Sequence, residues 1–160
     1  MKNLIKKHAK SFYWASFFLS KSTFDKCSSL YNFCRTLDDI VDDDKKLEIK
    51  KENFLKFKKD FINKDKNNPI IREMWSIIDV DRISEQIVMD LFDGVQTDLE
   101  EKVKINSKKE LLIYSYRVAG TVGLMMSKIL KVNNREALKG AIDLGIAMQL
   151  TNIARDVCED

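Results

Sequence analysis

The sequence is short of the residues that bend or break a chain. Its 160 residues include one proline, Pro69, and five glycines. So few turn formers argue against many short strands and for long helices. The three cysteines, Cys27, Cys34 and Cys158, make no CxxC pair. An odd count without metal-ligand spacing points to reduced thiols and a cytoplasmic setting. No apolar run approaches the ~20 residues of a membrane span. No Lys/Arg run exceeds two residues, and 28 basic against 25 acidic side chains leave a net charge of only +3. Nucleic acid binding wants a clustered basic patch, so it is not expected. Residues 1–19 hold lysines followed by a short apolar run, but His8 and Lys10 crowd that run and no small-residue cleavage site follows. They read as a first helix rather than a secretory signal.

What is present suits a folded protein: 44% hydrophobic and 33% charged residues, in a chain long enough for one domain with a core. Neither repeats nor low-complexity tracts divide it, so residues 1–160 read as one all-α domain. Helices are expected over 3–20, from a Ser22/Asp25 capping box to about Asp43, over a lysine-rich stretch at 46–63, and from Pro69 after the Asn67-Asn68 turn. Further helices are expected over 81–102, over 107–131 from a Ser107/Glu110 box, and from Asn133/Glu136 onward. The last has no stop signal, and Glu159-Asp160 would oppose its macrodipole. The domain is therefore expected to continue beyond residue 160.

Two acidic stripes stand out. Asp38 and Asp42 are four residues apart, hence on one helical face, and Tyr31 and Arg35 extend the same stripe. Spacing alone leaves open a solvated face with an Arg35–Asp38 pair. In the last helix Gly145, Gln149, Asn152, Asp156 and Asp160 follow offsets of 4, 3, 4 and 4. They fall within about a quarter of the circumference. The other sides are largely apolar, including Leu144, Ile146, Met148, Leu150, Ile153 and Val157. That pattern predicts a buried helix whose polar stripe faces an internal cavity, against the alternative of an ordinary amphipathic helix. Buried carboxylates need a cation, and oxygen-only ligands suit Mg²⁺ completed by substrate phosphate and water. Two such stripes can face each other across a bundle core.

These residues carry a resemblance. Asp38-Asp39-Ile40-Val41-Asp42 resembles the first aspartate motif of squalene/phytoene synthases, and the run from Gln149 to Asp160 is similar to their second. Tyr114-Ser115-Tyr116-Arg117-Val118-Ala119-Gly120-Thr121-Val122-Gly123 resembles the signature between them, and Lys10-Ser11-Phe12 after His8 resembles their opening diphosphate contact. All four motifs keep the family's order and spacing, and the wording of the second is most like bacterial phytoene synthases. The resemblance implies an isoprenoid synthase-type helical bundle, of which this chain is the N-terminal part.

Carried over by position, Asp38, Asp42, Asp156 and Asp160 would bind magnesium, with manganese as the alternative ion. Gln149 and Asn152 would support the second site, where diphosphate binds. His8, Ser11, Arg35 and Arg155 would contact diphosphate or orient the aspartates. Tyr31 and Tyr116 would face the reacting carbons, and Val118, Gly120 and Gly123 would lie along the prenyl cavity. Tyr116 as plain core and His8 as a surface residue stay open. Asp39, Asp43 and Asp44 read as solvated, and the acids of the family-like segment Asp90 to Asp98 as structural.

The implied reaction joins two prenyl diphosphates head to head through a cyclopropylcarbinyl diphosphate, as in carotenoid biosynthesis. Two geranylgeranyl diphosphates give phytoene without NADPH. Farnesyl diphosphate gives squalene or dehydrosqualene, and squalene synthesis uses NADPH. Residues 1–160 alone are expected to be inactive. A non-catalytic assembly factor of the same fold would have lost the aspartates, and a plain helical interaction module would bind no ligand through magnesium. Membrane contact would be peripheral, with the lysine-rich residues 45–66 as either a lipid-facing or a solvated face. Oligomeric state is not legible.

Overall fold

Side-chain caps set where the helices begin. The computed structural model describes residues 18–100 and 105–159, with backbone alone at 158 and 159. The expected helix at 3–20 falls almost wholly outside the described residues. The elements are α1 (Lys21–Asp42), α2 (Leu47–Ile62), α3 (Pro69–Asp81), α4 (Glu85–Thr97), α5 (Lys108–Ser115), a π segment (Tyr116–Gly120), α6 (Thr121–Ile129) and α7 (Arg135–Glu159). Among the described residues there is no strand.

The Ser20 hydroxyl accepts from the Thr23 N–H at 3.2 Å, so α1 starts two residues before the expected box at Ser22. Asn68 caps α3 by accepting from the N–H groups of Ile70 and Ile71, and Pro69 takes the first helical position. The Ser107 cap holds as expected, whereas Asn134 and not Asn133 caps α7. Arg82, in the left-handed conformation at φ 52°, closes α3 with its N–H on the Ile78 carbonyl. That turn is why α4 begins at Glu85 rather than near residue 81.

The helices form two compact units, one ending at Arg82 and the other starting at Ile83. In the first, α1 packs on α2 and α3. Phe33 of α1 meets Phe57 and Phe61 of α2 at ring-centroid distances of 5.6 Å, and Phe61 stacks on Trp75 of α3 at 5.0 Å. The Trp75 indole N–H is satisfied inside this cluster by the Phe61 carbonyl, at 2.9 Å. At the other end of α1, Lys26 Nζ sits 2.9 Å from each carboxylate oxygen of the buried Asp81. That pair ties α1 to the last turn of α3.

The second unit is built on close backbone contact. A Cβ on Gly123 would stand 2.4 Å from the Ala141 carbonyl oxygen, and one on Gly145 2.5 Å from that of Ala119. The two contacts run in opposite chain directions, so α7 lies antiparallel to the π segment and α6. The expected single helix over 107–131 is interrupted, because the Thr121 N–H bonds to the Tyr116 carbonyl five residues back. Two neighbours accommodate this wider turn. Gly94 of α4 lets it approach, since a Cβ there would be 2.7 Å from Arg117 Cβ. The Thr121 hydroxyl donates to the Arg117 carbonyl at 2.7 Å.

The last helix departs from the sequence expectation. None of the side chains described in α7 is buried, and Leu144, Met148 and Val157 are 63%, 48% and 75% exposed. Its contacts within the unit, with α5, the π segment and α6, cover one side only.

The packing predicts opposite effects for two glycine substitutions in α7. Gly145→Ala should cost about 1–3 kcal/mol, because the methyl meets backbone that cannot give way. Gly140→Ala meets nothing within 4 Å. It should stabilise by about 0.5–1 kcal/mol through lower unfolded-state entropy. Urea denaturation of the two variants measures both.

Candidate active site

The buried face of α1, with Leu30, Phe33 and Leu37, fixes that helix's rotation. The stripe of Tyr31, Arg35, Asp38 and Asp42 then lies about a third of a turn away. Tyr31 and Arg35 are half-buried, while Asp38 and Asp42 are exposed. Arg35 Nη2 pairs with Asp39 Oδ1 at 2.7 Å, one turn along. Asp39 and Asp43, read as solvated, line an open cleft of about 410 Å³ between α1 and α2. Asp43 is held below the usual carboxylate range by its hydrogen bond from Lys45.

The C-terminal end of α1 is strongly negative. Asp38, Asp39 and Asp42 occupy its last turns, Asp43 and Asp44 follow, and the last turn holds no basic residue. Helix carbonyls already place partial negative charge there. A cation bound by this end would relieve both. Asp38 and Asp42 offer two oxygen donors one turn apart, the number Mg²⁺ commonly takes from protein. Among the described residues no group of three acidic, His or Cys side chains converges to hold an ion by itself. Two carboxylates on one helical face suit a Mg²⁺, or a Mn²⁺, that completes its shell with phosphate and water.

On α7, Gly145 meets the π segment and the polar stripe continues from it through Gln149, Asn152 and Asp156. Gln149 is half-buried and Asn152 exposed. Arg155 holds Asp156 Oδ1 through Nε at 3.0 Å and Nη2 at 2.8 Å, with both side chains 59% exposed. An ion pair this exposed is weak. His8, Ser11 and Asp160 lie outside the described residues.

Tyr116 opens the π segment, and its hydroxyl donates to Asp90 Oδ2 of α4 at 3.2 Å. Gln86 donates to the other oxygen of Asp90 at 2.8 Å. Tyr114 donates to Asp98 at 2.9 Å. Asp90 and Asp98 thus serve as acceptors that anchor the two tyrosines to α4. No local pattern joins residues 26 and 16 apart in this way, so the sequence alone did not reveal these bonds. Burial, and then the Asp90 charge, push the Tyr116 phenol up, while Tyr31 is raised by burial and by Asp38 and Asp39 against Arg35. Both phenols are neutral near pH 7. Tyr116 also lines an open apolar groove of about 450 Å³ with Leu112, Ile113, Lys108 and Lys109. Gly120 packs against Tyr116 of its own segment and Ile142 of α7, Gly123 against Ala141 of α7, and Val118 against Gly94 of α4.

Comparison with solved structures places the architecture first. A crystal structure of a dehydrosqualene synthase matches with a TM-score of 0.76 at 34% identity, over 98% of this chain and 55% of that one. A squalene synthase from Alicyclobacillus acidocaldarius gives a TM-score of 0.74 at 21% identity, over 97% and 60%, which supports the fold alone. The protein is of the all-α isoprenoid synthase class. A family model described as squalene/phytoene synthase matches residues 5–160. The chain belongs to the squalene/phytoene synthase family.

Named relatives include a phytoene synthase of Rhodobacter capsulatus, 34% identical over 99% of this chain and 48% of that protein. A 15-cis-phytoene synthase of Pantoea ananas is 30% identical over 95% and 53%. The chain spans about half the length of the curated relatives it matches. No helix among the described residues is long and apolar enough to cross a membrane.

Cys34, on α1 beside the Asp38 stripe, is a half-buried free thiol. Burial, reinforced by the Asp38 charge, pushes it up to about 12. At pH 8 iodoacetamide should label Cys34 about 10³-fold more slowly than in the urea-unfolded chain, since only thiolate reacts. Mass spectrometry of the labelled peptide reads the ratio, and equal rates would show the thiol to be accessible and unperturbed.

Proposed function

We propose that this chain is the N-terminal part of a magnesium-dependent prenyltransferase that condenses two geranylgeranyl diphosphates to phytoene. The reaction passes through a cyclopropylcarbinyl diphosphate and needs no reductant. The observation that carries this reading is the match of nearly the whole chain to relatives named phytoene synthase. The dehydrosqualene synthase match at 34% identity favours a second reading, with the same chemistry on farnesyl diphosphate.

Asp38 and Asp42 in one stripe, and Asp156 with Asp160 in the other, would hold the metal, with Asn152 and Gln149 supporting the second. Magnesium would supply positive charge that neutralises a departing diphosphate. Arg35 and Arg155 now pair with neighbouring aspartates and would turn part of their charge to the diphosphate, with His8 and Ser11 as further contacts. Tyr31 and Tyr116, kept protonated, would present neutral ring faces to the allylic cation, which aromatic faces attract. Val118, Gly120 and Gly123 would let the cavity wall close up, excluding water that would quench the cation.

The test uses the full-length polypeptide with Mg²⁺ and either geranylgeranyl or farnesyl diphosphate, with and without NADPH. A C40 hydrocarbon from geranylgeranyl diphosphate without reductant is expected. EDTA should abolish it, and Asp38→Asn or Asp156→Asn should lower kcat by about 10²-fold or more. A C30 product would select the second reading. Full turnover by both Asn variants would refute the assignment of these carboxylates.

A further inference from the structure

The helix α2 is amphipathic twice over. Its first apolar stripe, Phe54, Phe57 and Phe61, is buried in the core of the first unit. The second plays no part in that core. Leu55 and Ile62 are 58% and 55% exposed. They stand on one line with Lys51 and Lys59, at successive spacings of 4, 4 and 3 from Lys51 through Leu55 and Lys59 to Ile62. At about 100° per residue these four share less than a quarter of the circumference. Glu48 shares their side at the start of the helix, and Glu52 lies at its edge.

Charge concentrates in the same place. Residues 45–66 hold nine lysines against four acids, a net charge of +5, in a chain of net charge +3. The other 138 residues are therefore net negative, at −2. Some of these lysines are engaged: Lys45 with Asp43, Lys50 with the Val41 carbonyl, and Lys64 over the Trp75 ring at 3.7 Å. Those contacts, with the three phenylalanines, fasten α2 to its unit. Lys51 and Lys59 are exposed on the outer side.

We propose that this face of α2 docks on an anionic lipid bilayer, with Leu55 and Ile62 entering the headgroup layer and Lys51 and Lys59 paired with lipid phosphates. Three features favour a bilayer over other partners. The lysine stems can lie along apolar surface while their ammonium groups stay in the polar layer. The stripe has none of the Trp, Tyr or Arg that anchor protein interfaces, where lysine is depleted. Exposed aliphatic side chains add nothing to nucleic acid binding, which draws on arginine and aromatic stacking. The proposal stands on this face alone and does not depend on the catalytic reading.

Flotation of the full-length polypeptide with vesicles tests it. The chain should float with vesicles of 70% phosphatidylcholine and 30% phosphatidylglycerol, and bind pure phosphatidylcholine at least tenfold more weakly, as lysine–lipid attraction requires. Lys51→Glu with Lys59→Glu should lower binding to the anionic vesicles at least tenfold. Leu55→Ser with Ile62→Ser should do so severalfold, and circular dichroism checks that both variants keep their helix. Failure of the unaltered chain to float with anionic vesicles would overturn the proposal. So would full binding by the Leu55/Ile62 variant, which would leave only nonspecific charge attraction. Equal binding to a single-stranded oligonucleotide, unaffected by the loss of Leu55 and Ile62, would overturn it in favour of a polyanion site.

Discussion

Backbone lies directly on backbone where α7 crosses the π segment and α6, and the second unit depends on that contact. Gly123 faces Ala141 and Gly145 faces Ala119 with no room for a methyl group at either glycine. Such a contact has one register. A slip or rotation of α7 would drive a side chain into a carbonyl oxygen. Gly145 heads the stripe that continues through Gln149, Asn152 and Asp156, so the register that seats Gly145 also sets the direction of those polar side chains. Packing and polar display are therefore one constraint on α7.

In the first unit aromatic packing does the same work. Phe33 between Phe57 and Phe61 fixes the rotation of α1, and Lys26 with Asp81 fixes its far end. A helix held by large rings on one face cannot turn its aspartates elsewhere. The acids then gather at the helix end where the carbonyl dipoles already oppose them. Arg35, on the stripe of Asp38 and Asp42, pairs with Asp39, and Lys45 just beyond the helix pairs with Asp43.

The sequence made the helices legible because caps and turn residues act over three or four residues. Pro69 behind Asn68 and the Ser107 cap stand where they were expected. The caps expected at Ser22 and Asn133 fall instead at Ser20 and Asn134, residues of the same type close by, between which local chemistry does not discriminate. The π segment was not legible, because what permits it is remote: Gly94 on another helix makes space for Arg117. The exposure of α7 was misread for a related reason. Its apolar pattern speaks of a need for cover, and a pattern cannot say which elements provide it. In the site the two stripes could be read from spacing alone. The Tyr116–Asp90 bond and the Arg35–Asp39 pair depend on helix placement and rotamer, which spacing leaves open.

On the proposed reading, the limited number of donors at each stripe has a consequence for the order of events. A rigid helix that presents carboxylates one turn apart supplies two oxygens to an ion that wants six, and Mg²⁺ gives up water reluctantly. Neither stripe would then bind the ion tightly by itself. The substrate diphosphate, bringing several oxygens at once, would complete the shell and raise the affinity for metal. By linkage the metal would raise the affinity for diphosphate by the same factor. The exposed Arg155–Asp156 pair fits this scheme, because a weak pair can hold the carboxylate until a more strongly charged ion arrives with the substrate. Carboxylates on helices whose rotation is fixed by packing would thus wait, ordered and incompletely satisfied, for the substrate that brings their remaining partners.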